Sequence, residues 1–128
     1  MPLILNGPGI PANLVLDDPV STVEIAATMY HQAQVDGSEA MQSESLLPLL
    51  HADAPRRTAA SSESNLSAAR CGLALQLRTV RTRTHKLMVD LGSGVGEMYD
   101  LEANQADQNN LFGHDEHRAM REELQGLL

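Results

Sequence analysis

From Leu66 onward the chain repeats large apolar residues at a seven-residue spacing, and no other feature limits its folding choices as much. Counted from Leu66, one series at this spacing is Leu66, Leu73, Val80, Leu87, Gly94 and Leu101, and a second, four residues on, is Arg70, Leu77, Thr84, Leu91 and Met98. Eight of these eleven are Leu, Val or Met, the pattern of a helix with a continuous apolar seam. A helix of about 40 residues, rising about 1.5 Å each, would be about 60 Å long. That exceeds the interior of a 128-residue domain. The seam therefore predicts an elongated hairpin with a partner helix alongside. Leu66, Leu73, Leu77, Val80, Leu87, Leu91, Met98 and Leu101 would bind that helix or another chain.

The rest of the chain supplies a first helix. Asp18 before Pro19 suits a cap with Pro at the first helical position, and Ser21 with Glu24 makes a capping box. An apolar stripe follows through Val23, Ala26 or Ala27, Tyr30 and Ala33, resuming at Ala40-Met41. Residues 1–18 read as an apolar arm with dense turn chemistry at Asn6-Gly7-Pro8-Gly9-Ile10-Pro11, and residues 51–65 as a polar linker. Residues 113–128 read as a short amphipathic helix with Met120, Leu124 and Leu127 on one face. The expected fold is mainly α: an antiparallel helical hairpin of about 19–45 and 66–112, an irregular N-terminal arm and a short C-terminal helix.

Composition agrees with helix. Only Phe112, Tyr30 and Tyr99 are aromatic, so the apolar content comes from Leu, Val, Ala and Met, residues suited to helical seams. A single Cys71 allows no internal disulfide and no zinc site built on several thiolates. No apolar run reaches the roughly 20 residues that span a bilayer. Met1-Pro-Leu-Ile-Leu-Asn-Gly-Pro-Gly has no basic region and is broken by prolines, unlike a secretory signal peptide. The expected location is the cytoplasm, or export by another route.

Charge is segregated. Residues 1–55 carry seven acids and no Lys or Arg; residues 56–86 carry seven bases against Glu63; residues 87–128 carry nine acids and two bases. The whole chain is at −8, and stacking aromatics are few, which argues against nucleic acid as partner. Arg78, Arg81, Arg83 and Lys86 are candidate phosphate ligands, with pairing to the acidic first helix as their preferred role.

Residues 86–96, Lys-Leu-Met-Val-Asp-Leu-Gly-Ser-Gly-Val-Gly, resemble the first motif of the Rossmann-like methyltransferases that use S-adenosylmethionine. That resemblance implies a strand, a glycine turn, and a cofactor pocket lined by Asp90, Gly92, Gly94 and Gly96. The polar stretch after Leu101 is unlike the second buried strand such a fold needs. No cofactor is therefore the preferred reading. Residues 75–113, through Tyr99-Asp100-Leu101-Glu102, are similar to the second helix of actinobacterial type VII (ESX) secretion-associated proteins. This implies a helical hairpin whose export signal includes Tyr99, Asp100 and Glu102, although position +4 from the tyrosine is Ala103.

Smaller candidates carry ordinary roles. His114 and His117 offer two imidazoles on one helical face, short of a metal site, and Asp115 and Glu116 suit a helix N-terminus. His31 and His51 read as surface residues, and Cys71 as an inert thiol. The expected function is a non-enzymatic protein–protein interaction module, acting as a homo-oligomer or with a protein partner. A divergent methyltransferase-like domain and a phage or virion structural protein are the alternatives.

Overall fold

The computed structural model describes residues 2–37, 41–51, 55–103 and 107–128. Ala40, residues 52–54 of the expected linker and residues 104–106 of the expected second helix lie outside them, as does the Cys71 side chain. The chain forms two units, one of Met1–Asp17 with Thr22–Arg56, the other of Asp18–Ser21 with Arg57–Leu128.

In the first unit, helix α1 spans Glu24–Gln32 and a tight helical turn spans Leu47–Leu50. Thr28 joins them: its hydroxyl donates to the Glu24 carbonyl (2.7 Å) and accepts the Leu46 N–H (2.9 Å). Ala27, Leu46 and Leu49 are buried there. The helix is far shorter than the expected 19–45. Gln34 takes a left-handed φ of 55°, which ends it. Its N-cap is Val23, without a side-chain cap. Asp18, expected to cap, instead accepts the Arg57 N–H within the second unit (2.9 Å).

The second unit overturns the helical hairpin. Where described, residues 66–112 carry three strands and no long helix; with the preceding strand they form an antiparallel meander in the order β1-β2-β3-β4, with β1 Ala59–Leu66, β2 Leu75–Thr82, β3 His85–Asp90 and β4 Gly96–Asp100. A one-turn helix α2 (Ala68–Cys71), closed by left-handed Gly72 (φ 81°), links β1 to β2. The expected polar linker thus contains an edge strand, and its small residues leave β1 exposed from Ser61 to Asn65.

The physical reason lies in the register. Val80 pairs with Leu87 across β2 and β3, and Leu87 pairs with Met98 across β3 and β4. Two residues, Arg83 and Thr84, connect β2 to β3, so partners three positions either side of the turn fall seven apart and mimic a heptad. All three are fully buried. With Val89 and Leu124 they form the core, and Ala59, Leu111, Phe112 and Met120 pack against it. Met120 and Leu124 come from the C-terminal helix α3, Arg118–Gln125, which covers this face.

The β4 edge is occupied by a non-regular segment. Asn110 Oδ1 accepts the N–H of Met98 and of Phe112 (3.0 Å each), and the Leu111 N–H donates to the Met98 carbonyl (2.8 Å). This brings the Phe112 ring onto Gly96, where a Cβ would lie 2.6 Å from both the ring and the Met88 carbonyl. Arg121 fastens the arrangement, with its guanidinium over the Phe112 ring at 5.1 Å and a hydrogen bond to the Phe112 carbonyl. Gly96→Ala is expected to destabilise the protein by about 1–3 kcal/mol. Leu87→Ala should cost about 2–5 kcal/mol through the cavity it leaves. Denaturant melts measure both, and wild-type stability in either variant would contradict this packing.

Candidate functional site

Side chains alternate along a strand, so the register that sends Val80, Leu87 and Met98 under α3 sends Arg81, Lys86 and Tyr99 to the other face. They form one cross-strand row: Ala60 beside Arg81, Arg81 beside Lys86, Lys86 beside Tyr99. Lys86 pairs with Asp107 at 2.7 Å and lies 5.5 Å from the Tyr99 ring centre. Tyr99 is 8% exposed, and its hydroxyl donates to Glu97 Oε2 at 3.1 Å. Burial first, then the hydrogen bond and charge of Glu97, then the charge of Asp107, push the phenol above its ordinary range. It therefore stays protonated at neutral pH and remains a donor. The result is a cation, an aromatic face and two carboxylates on the sheet face away from α3. Such a group can bind and orient a polar ligand.

At the opposite end of the sheet Asp90 organises the β3–β4 connection. Its carboxylate accepts the Ser93 hydroxyl (2.6 Å), the Gln76 N–H (2.7 Å), the Ser93 N–H (3.0 Å) and, more distantly, the Gly92 N–H (3.4 Å). The Ser93 hydroxyl and then the Gln76 amide lower its pKa to about 2, against the opposing effect of burial. Asp100 is lowered similarly by the N–H groups of Ala103 and Glu102.

These positions correct the sequence reading residue by residue. A strand does end in Asp90, but the glycines that follow lead into the antiparallel β4, not into a helix. Gly94 takes the left-handed turn (φ 72°), Gly92 carries an N–H near Asp90, and Gly96 makes room for Phe112. No parallel strand-to-helix turn exists there to cradle a nucleotide. Tyr99, Asp100 and Glu102 end a strand and its turn rather than a helix. Of the expected seam, Val80, Leu87, Met98 and Leu101 are buried, Leu66 and Leu77 are half-buried, and Leu73 and Leu91 are exposed. No single face unites them. Arg78 pairs with Glu63 (3.2 Å) and Lys86 with Asp107, so the acids they meet are outside the first helix. Among the described residues no group of three or more His, Cys, Asp or Glu comes together to hold a metal. Nor is any described helix long and apolar enough to cross a membrane. Asp107 and Glu97, the carboxylates of the row, carried no signal in sequence. Glu97 reaches Tyr99 from two positions earlier on β4, and Asp107 reaches Lys86 from the segment that follows β4.

A folded-state pKa below the unfolded one stabilises the protein above the unfolded value, and that contribution is lost as pH falls through the folded value. For Asp90 the window runs from its ordinary 3.8 down to about 2. Thermal melts should therefore fall over that interval, and Asp90→Asn should flatten the fall. An unchanged acid limb in the variant would remove Asp90 from its cause.

Comparisons with known proteins agree with this sheet. The model of a family described as N-sulphoglucosamine sulphohydrolase, C-terminal, matches residues 1–128. A protein solved in complex with its substrate D-glucosamine-2-N,6-O-disulfate is 28% identical, with a TM-score of 0.67 over 82% of this chain and 22% of its own. A 2-O GAG sulfatase is 21% identical, with a TM-score of 0.79 over 94% of this chain and 27% of its own. The phosphonate monoester hydrolase of Silicibacter pomeroyi is 18% identical, with a TM-score of 0.77 over 95% of this chain and 26% of its own. The last two likenesses speak for the fold alone. The chain thus spans about a quarter of each solved protein. No curated protein sequence matches it significantly. These findings replace the type VII secretion and methyltransferase resemblances, the coiled-coil interaction module and the virion alternative. The expectation of a non-enzymatic protein is likewise overturned, because the family is that of a sulphohydrolase C-terminal part and the solved proteins include a sulfatase and a phosphonate monoester hydrolase.

Proposed function

We propose, from the premise that this chain belongs to the N-sulphoglucosamine sulphohydrolase C-terminal family, that it serves as the C-terminal portion of a hydrolase releasing sulfate from a sulfated sugar. The observation that carries the reading is the family match over residues 1–128. The 28% identical protein solved with a disulfated glucosamine supports the substrate class. The likeness to a phosphonate monoester hydrolase supports only a shared fold.

Within such an enzyme this chain contributes binding and support. Its sheet is rigidly held on one face by α3 and presents the Arg81–Lys86–Tyr99 row on the other. Positioning of a polar substrate by groups on a packed sheet is an effective use of such a surface, because Lys86 is held by Asp107 and Tyr99 by Glu97. The remainder of a hydrolase of this kind is the protein partner this reading calls for.

The test is hydrolysis by the purified protein that carries this chain. Incubation with D-glucosamine-2-N,6-O-disulfate should release inorganic sulfate, followed by ion chromatography. A phenylphosphonate monoester serves as the competing substrate. Phosphonate hydrolysis without sulfate release would replace the sulfatase reading, and hydrolysis of neither would remove the assignment.

A further inference from the structure

The bases of residues 56–86 find their acceptors unevenly. Arg78 pairs with Glu63, Lys86 with Asp107, and Arg56 donates to the Leu49 carbonyl. Arg81 and Arg83 have no side-chain acceptor among the described residues. Both are exposed, and both stand at one place: Arg81 next to the end of β2, Arg83 in the two-residue connection to β3.

The surroundings make this pair an unusual surface feature. Arg81 faces Lys86 directly across the strands, and like charges in that position repel. Lys86 is drawn to Asp107 and the Tyr99 ring, while Glu97 accepts from Tyr99. The cross-strand neighbour of Arg81 on its other side is Ala60, which offers no charge. The connection itself is well fixed. The Thr82 hydroxyl accepts the His85 N–H (2.9 Å), the Thr84 hydroxyl meets His85 Nδ1 (2.9 Å), and the Thr84 carbonyl accepts the Leu101 N–H (2.8 Å). Two guanidinium forks stand on a pinned hairpin end beside a small residue, while the nearby carboxylates are placed elsewhere, Asp107 on Lys86 and Asp100 opposite His85. Such forks suit a tetrahedral oxyanion, which a guanidinium binds through paired N–H donors.

We propose that Arg81 and Arg83 form a binding site for a sulfate group of a sulfated saccharide, making the β2–β3 hairpin end a specificity determinant. The choice of saccharide rests on the family reading above; the site itself rests on the hairpin. A substrate carrying more than one sulfate can be held by one group here while another is cleaved elsewhere. Tyr99, its ring already beside Lys86, borders the row along which the sugar would lie.

Isothermal titration of the purified protein with a heparin-derived tetrasaccharide tests the site, with the unsulfated heparosan tetrasaccharide as control. Arg81→Ser with Arg83→Ser should weaken binding about tenfold or more, since each hydrogen-bonded charge pair is of the size that changes affinity by that factor. Arg70→Ser, which removes one positive charge from exposed α2, should leave binding unchanged. The double change to Lys keeps the charge without the fork and should give an intermediate affinity. Thermal melts at each step show that the variants are folded. Equal affinity in the double Ser variant, equal affinity for the unsulfated sugar, or tighter binding of oligothymidine would each overturn the site. Sulfate release with an unchanged KM in the double Ser variant would sink this inference alone. Arginine-dependent tetrasaccharide binding without sulfate release would support the site and count against the hydrolase reading.

Discussion

The column Val80–Leu87–Met98, closed from above by Leu124, is the contact on which the second unit depends. All four side chains are 2% exposed or less. A unit of this size buries a smaller share of its surface than a large domain does, so few residues carry most of its hydrophobic stabilisation. The column also fixes register. A slip of one residue would exchange the two faces of β3, sending Lys86 and Met88 toward α3 and Leu87 to solvent. The position of the Arg81–Lys86–Tyr99 row is therefore a consequence of core packing and needs no separate device.

That same column explains why the sequence pointed to the wrong element. A residue and its neighbour seven positions on share a face in a helix, and they also share a face when a two-residue turn lies midway between them. Val80 and Leu87 satisfy both geometries, so their spacing cannot distinguish them. Other residues could have. Thr79, Val80, Thr82, Thr84 and Val89 are β-branched, and Leu75-Gln76-Leu77 alternates, which together favour strands. Gly92, Gly94 and Gly96 would each cost a helix about 1 kcal/mol relative to Ala, whereas a turn uses the first two and close packing the third. The candidate site was half legible. Arg81, Arg83, Lys86 and Tyr99 drew notice as charges and as an aromatic, but their common location depends on pairings between β2, β3 and β4. No short-range pattern encodes those.

The two edges of the sheet are treated differently. On the β4 side Asn110 supplies acceptors that a strand would otherwise provide, and Phe112 fills the space that Gly96 leaves. This protects exposed backbone groups without a fifth strand. On the β1 side the strand's own residues contribute to protection. Ser61, Ser62, Glu63 and Ser64 are exposed, and such small polar residues with a charge among them discourage edge-to-edge pairing. The glycine that resembled part of a cofactor loop thus has its meaning at an edge, through the ring packed on it.

Net charge bears on how an anion could reach the hairpin end. At −8 the chain as a whole repels polyanions, so long-range steering does not favour them. Beyond about 8 Å, physiological salt screens that repulsion, while contacts at hydrogen-bond distance are screened much less. Affinity at Arg81 and Arg83 must then come from short, directed N–H contacts rather than from a diffuse field. Such contacts reward an anionic group that can fill a guanidinium fork, and they add little for a long uniform phosphate backbone meeting an acidic surface. An acidic chain with two unneutralised arginines at one turn is in this respect more selective than a basic one.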